Sequence, residues 1–355
     1  MLSAFFGVLC NVEGDFTTSK IAILVMAIMN VSYLFLVRSP TISGVAIVLS
    51  SAYFIEFFIL KMKNKSYHWF MRWEWRNPAF QKLARQSVPL MFTEGVFQFS
   101  ILLTSSIMGW LNTAYLPAMN YVNILVTIVQ SLLLLNILTV LFPKLSRMFA
   151  MDIEAAKEAL ICYINRTNTV VIWIVAMFIA IGDQIIAMLF QHGAFTGENT
   201  QMVYMFLIIT ALALPGLVVR DFLYRSFYSQ GNTKIPSFIS IIAIVGVMVM
   251  LLIFLPLHNV YFILGVPVIA TYGSSIWAYR RLQGSIGKID PSYKLLKQHG
   301  IVVFHAIVIG CILYEIKSKL VFNVYANVLI LLLLGLAMYV LGLLVTTKKR
   351  RRDHG

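Results

Sequence analysis

Charge is scarce in this chain. Only 12% of its residues are Asp, Glu, Lys or Arg, where a soluble domain carries about 25%. Acids are scarcer still, at 14 against 28 bases. Cysteine is nearly absent: Cys10, Cys162 and Cys311 stand far apart, which excludes a disulfide framework and metal-ligand spacing. They read as small apolar fillers. Histidine constellations are also missing. His305 lies deep in an apolar run with no second histidine or carboxylate at ligand distance in sequence, so no metal or other cofactor is expected. There is no Gly-rich phosphate loop and no nucleophile elbow, and nothing recommends an enzyme. Met1–Val12 has no basic n-region or cleavage signature, so no signal peptide is expected.

What fills the chain instead is apolar sequence, 60% of all residues. It comes in runs of about 20, the length that crosses a bilayer core as a helix. Lipid leaves only helices or closed barrels, and these runs lack the two-residue alternation of strands. The fold class is therefore an all-α polytopic membrane protein. Ten crossings are expected, near 21–37, 41–60, 87–110, 117–142, 168–190, 200–223, 236–256, 260–279, 299–316 and 321–346. Leu2–Val12 is too short to span and reads as the end of a helix whose beginning is absent.

Loop charge orients the crossings. Twenty-five of the 28 lysines and arginines fall in one alternate set of loops, from Lys20 to the tail Lys348–Arg352; only Arg38, Lys317 and Lys319 fall in the other. The first set is cytoplasmic on this reading, and so is the C-terminus. The net charge of +14 is thus a positive-inside signal, and no nucleic-acid partner is expected.

Four regions follow. Residues 1–60 hold two full crossings. Residues 61–86 form a basic, aromatic linker in which Trp69 and Trp73 share one helical face, while Arg72 and Arg76 share another. That pattern suits a helix lying in the headgroup layer, either touching anionic lipid or simply anchoring the linker. Residues 87–279 hold six crossings. Residues 280–355 comprise a second basic linker, a final helix pair and a basic tail. Asp152 is the expected N-cap of the helix leading into the fifth crossing.

Polar residues at membrane depth face a partner or a wet cavity. Glu94 and Gln98 share one face of the third crossing. Asn120, Asn123, Thr127 and Gln130 step by three and four along the fourth. This stripe either lines a path for a polar headgroup or supplies hydrogen bonds between helices. Asp183 and Gln184 lie in the outer half of the fifth, where Asp183 either pairs with another helix or reaches the interface. Asp221 and Arg225, four apart beside Arg220 at a cytoplasmic helix end, suggest a local ion pair. Pro215 should bend or loosen the sixth crossing.

Several stretches together resemble the lipid II flippase (MurJ/MviN) family. Leu189–Thr196 reads LFQHGAFT, similar to that family's outer-loop signature. Phe227–Pro236 reads FYSQGNTKIP, similar to its signature after the next crossing. Leu141–Arg147, LFPKLSR, and the turn Asn11–Phe16 follow the same pattern in the same order. The resemblance implies a fourteen-helix, two-lobe fold within the multidrug/oligosaccharidyl-lipid/polysaccharide exporter superfamily. The ten crossings here would correspond to helices five to fourteen, the opening four being absent. It implies a transporter that moves a lipid-linked peptidoglycan precursor between leaflets of the bacterial cytoplasmic membrane by alternating access. The third and fourth crossings would line its cavity, and the final pair would form the groove for the lipid tail.

The chain departs from the family at Asn120–Leu125. It reads NYVNIL where the family often has NYADRL, so Asn123 replaces an acid and Ile124 an arginine. A diphosphate needs a cationic cavity, and isoleucine cannot supply one; Arg220 and Arg225 are the remaining candidates, if a cavity reaches them. The expected partners are a polyprenyl-diphosphate-linked saccharide and membrane lipids; a separate chain supplying the missing helices is one alternative, a true absence of those helices the other. Two rival readings stay open: a related polysaccharide or drug exporter, and a non-transporting scaffold or truncated gene product.

Overall fold

The computed structural model describes residues 2–12, 15–37, 39, 41–63, 77–289, 292–320 and 323–352. These residues are helical with short connections. The aromatic-basic segment around Trp69–Arg76 lies outside them. Contacts divide the chain into two compact units, residues 1–77 and 78–355.

The first unit contains α1 (Leu2–Val12), α2 (Phe16–Leu36) and α3 (Ile42–Lys63). Phe6, Cys10, Ala22 and Leu60 form its small core, with the Phe6 ring set edge-on to Phe57 at 5.7 Å. Cys10 is fully buried there, as expected for an apolar filler. Asp15 starts α2 by accepting from the Thr18 amide at 3.1 Å and the Thr18 hydroxyl at 2.7 Å. Its carboxylate also meets Lys63 at 3.4 Å. The Thr18 hydrogen bonds, followed by Lys63, hold its pKa below the ordinary carboxylate value. The cap is therefore fully effective above the unfolded carboxylate range and lost as pH falls through the lowered folded value.

The second unit contains α4 (Pro78–Leu111), α5 (Tyr115–Val129), α6 (Asn136–Met151), α7 (Ile153–Phe190), α8 (Gly197–Ala211), α9 (Leu214–Ser229), α10 (Lys234–Phe254), α11 (Val260–Ile286), α12 (Ser292–Lys319) and α13 (Val324–Arg352). Asp152 caps α7 as expected, accepting from the amides of Glu154 and Ala155 at 2.9 and 3.1 Å. With 38 residues, α7 is about 57 Å long, far more than a bilayer core needs. It runs through the middle of the unit, touching α6, α8, α9, α12 and α13.

Nine helical stretches among the described residues are long and apolar enough to cross a membrane. The fourth expected crossing falls within a further helical stretch. Residues 115–151 are helical throughout, but the winding loosens to a π-helix over Gln130–Leu135. Two helices of 15 and 16 residues flank it. A π segment is a local rewinding that hydrophobic periodicity does not announce. The sixth crossing is also broken: α8 ends at Ala211 and α9 starts at Leu214, with Pro215 in its first turn. Pro215 thus acts as the sequence suggested.

Lipid tails are as apolar as leucine, so burying leucine between these helices yields little hydrophobic gain. Close packing and interhelical hydrogen bonds hold them instead. The Tyr272 hydroxyl of α11 donates to the Leu212 carbonyl at 2.9 Å, at the break before α9. The Ser275 hydroxyl donates to the Gly216 carbonyl at 2.8 Å. Between these bonds the Tyr272 ring lies on α9. A Cβ at Gly216 would stand 3.2 Å from it. We expect Gly216→Val to lose about 1–3 kcal/mol through overpacking, read as a lower melting temperature in detergent, because the ring is tethered and cannot retreat.

Candidate functional site

The first of the family-like loops closes on itself and on a neighbouring helix. In Leu189–Thr196, Gly193 adopts a left-handed conformation, φ 60°, and Phe195 closes the turn onto the His192 carbonyl at 3.2 Å. Thr196 then caps α8 through the Asn199 amide at 3.4 Å. Phe190 and Phe195 both pack on Tyr121 of α5, with ring centroids 4.8 and 5.0 Å away. The loop is therefore a clamp on α5.

That clamp holds the polar stripe outward. Ala118, Val122, Leu125, Val126 and Val129 are the buried face of α5, packed mainly on α8. Asn120, Asn123 and Thr127 are exposed and Gln130 half-buried. Among the described residues none of the four side chains makes a hydrogen bond within the unit. Ile124, in the position of the family arginine, lies on the same open face at 48% exposure. Glu94 and Gln98 of α4 are likewise exposed, and among the described residues bond only each other, at 3.2 Å.

A second feature was not located from the residues alone. An apolar cavity of about 1200 Å³ opens between α7, α9, α11 and α12. Ile164, Ile172, Val219 and Ile307 are typical of its walls, and Gly216, Ala306 and Gly310 make room. Its few polar groups include Arg280 and Glu315. By volume it exceeds the 300–1,000 Å³ of ordinary small-molecule sites, and its lining suits a long hydrocarbon chain. The signal was present as small residues on facing helices, but their alignment needed the packing. The expected tail groove lay in the final helix pair; here α12 forms one wall, and α13 is not among the lining helices.

Next to this cavity, Asp183 of α7 meets Lys317 of α12 at 2.6 and 2.5 Å through its two oxygens. The pair is 26% and 16% exposed respectively. Of the two alternatives for Asp183, pairing with another helix is the one the structure takes; along the sequence its partner Lys317 reads only as a loop cation.

Arg220, Asp221 and Arg225 do not line this cavity. The local ion pair expected in this cluster is made by Asp221 with its neighbour Arg220, at 3.3 Å, and not with Arg225. Arg225 instead lies 5.5 Å over the Phe142 ring of α6. Helical spacing allowed both partners, and tertiary packing drew Arg225 to an aromatic face.

The family model described as lipid II flippase MurJ matches residues 1–347. A Rickettsia prowazekii protein named probable lipid II flippase MurJ is 21% identical over 342 residues, covering 92% of this chain and 64% of that protein. One of the same name from Haemophilus influenzae is 25% identical over 303 residues, covering 81% and 58%. A solved structure of a lipid II flippase MurJ in an inward closed conformation superposes with a TM-score of 0.80 at 17% identity, covering 98% of this chain and 71% of that one. That likeness concerns the fold. The chain spans no more than 64% of the length of the named relatives it matches. With the family model fitting nearly all of the sequence, and the helices arranged as in a solved member, this chain belongs to the MurJ family of lipid II flippases.

Proposed function

We propose that this chain takes part in flipping a polyprenyl-diphosphate-linked saccharide, lipid II, across the bacterial cytoplasmic membrane for peptidoglycan synthesis. The observation that carries this reading is the apolar cavity of about 1200 Å³ between α7, α9, α11 and α12. A hydrocarbon tail lodges there without facing water, while the polar part of the same molecule needs a separate, polar path. The stripe Asn120, Asn123, Thr127 and Gln130, with Glu94 and Gln98, offers that path, since these groups are open and have no hydrogen-bond partners outside their own helices. Arg220 and Arg225 are already engaged locally, so the diphosphate draws its cations from elsewhere. The transporting unit includes helices beyond those described here, on this polypeptide or on a separate chain, and it works by alternating access. The C-terminus faces the cytoplasm, as the loop charges require.

The test is conditional depletion of the protein in cells that make it, followed by labelling of lipid-linked precursors from outside. Accumulation of lipid II in the inner leaflet is the expected result. Unchanged labelling of lipid II at the outer face would overturn the proposal. A second reading, a related oligosaccharide-lipid or drug exporter, is favoured by one observation: apolar Ile124 on the open face of α5. Accumulation of a different lipid-linked saccharide on depletion would select it.

A further inference from the structure

The turn between α9 and α10, which carries part of the family resemblance, has no role in the path just described. Its geometry explains most of its residues. Gly231 is left-handed, φ 72°. Its amide reaches the Tyr228 carbonyl at 2.9 Å, and the Asn232 amide reaches the Phe227 carbonyl at 3.0 Å. This paired closure ends a helix. The Asn232 side chain then accepts from the Ile235 amide at 3.2 Å and starts α10. Gln230 accepts from Ser285 of α11 at 3.3 Å and ties the turn to that helix. Lys234 and Ser237 are left without a local task.

Both of them line a second pocket, of about 450 Å³, together with Arg281 of α11 and Pro89 of α4. Two cations from different helices thus meet over one pocket, and no carboxylate is among its lining residues. Neither has an ion pair or hydrogen bond among the described residues. Ser237 is only 3% exposed, and its buried hydroxyl has no partner. A buried hydroxyl left unpaired requires an explanation, and an unseen ligand is one. The helix start itself offers little, since the Ile235 amide is taken, Pro236 has none, and the Ser237 amide bonds the Thr233 carbonyl.

The remaining walls are apolar, and Phe238 leads out of the pocket at 56% exposure. Ile242, Val245 and Val249 continue that exposed face along α10, at helical spacing. We propose that this pocket binds the phosphate of an anionic phospholipid from the leaflet at this end of the bundle. Lys234 and Arg281 flank the phosphate, the Ser237 hydroxyl donates to one of its oxygens, and an acyl chain follows Phe238 along α10. The site is distinct from the apolar cavity and does not depend on which saccharide-lipid the protein moves. The exposed apolar stripe decides between sources: a free phosphate ion would have no use for it.

The probe is phosphatidylglycerol added to purified, delipidated protein in detergent, with retention measured by native mass spectrometry and by thermal shift. Phosphatidylcholine and inorganic phosphate serve as controls. Stronger retention of phosphatidylglycerol than of phosphatidylcholine is expected. The variant Lys234→Gln/Arg281→Gln should lose that preference by on the order of tenfold. Ser237→Ala should weaken it less and leave the lipid-free melting temperature unchanged. Equal retention of the two lipids by the parent protein, or an undiminished preference in the double variant, would overturn the proposal. So would a thermal shift given equally by millimolar inorganic phosphate.

Discussion

Replacing Lys317 with methionine should loosen α12 from α7 and lower the melting temperature of the purified protein. The Asp183 carboxylate would be left three-quarters buried, opposite an apolar side chain. Breaking a buried pair from one side costs about 3–5 kcal/mol. With this pair partly exposed, on the order of 2–3 kcal/mol is expected. Among the described residues no other ion pair joins α12 and α7. Elsewhere their contact is apolar: Met177, Ala180 and Ile181 against Ile309 and Leu313. Lipid competes well for such surfaces. The double variant Asp183→Asn/Lys317→Met should recover most of the loss, because no unpaired charge remains. A single variant that melts with the parent protein would show that solvent, not Lys317, carries Asp183.

Converting the α5 stripe to hydrocarbon should do the opposite: slow transport and spare the fold. In Asn120→Leu/Asn123→Leu/Thr127→Val, three exposed polar side chains are lost that make no hydrogen bond within their own unit. Substitutions of this kind usually change stability by about 0.5 kcal/mol or less. If the stripe receives the polar part of the substrate, two or three hydrogen bonds vanish. At about 0.5–1.5 kcal/mol each, lipid II flipping should fall by roughly tenfold or more. The readouts are melting temperature and outer-face labelling of lipid II in cells relying on the variant. A large drop in melting temperature would favour interhelical bonding as the stripe's job. Full transport by a stable variant would remove the stripe from the path.

Much of this was legible in the residues. Apolar runs and clustered bases mark a polytopic helical protein, because only helices satisfy their own backbone in lipid. Asp152 acts where capping chemistry places it, through bonds spanning two or three residues. Pro215 loosens its crossing because it lacks an amide hydrogen wherever it is put. The stripe on α5 was visible as a step of three and four, since helical geometry alone collects those residues on one face.

Other features have no local signature. The π segment at Gln130–Leu135 rewinds a helix that apolar periodicity reads as regular. Arg225 had two possible partners in sequence and took Phe142, which lies 83 residues away in the chain.

The sequence by itself determined the class, the sites of helix start and stop, and the family, because these depend on composition and on bonds between near neighbours. Only the tertiary structure decided that Lys317 is the partner of Asp183, that four separate helices enclose an apolar cavity, and that Lys234 and Arg281 share a pocket with an unpaired serine. Each of these joins residues tens to more than a hundred positions apart. Distances of that kind are set by which helix faces pack together, and in lipid that choice rests on shape and a few interhelical bonds rather than on any pattern along the chain.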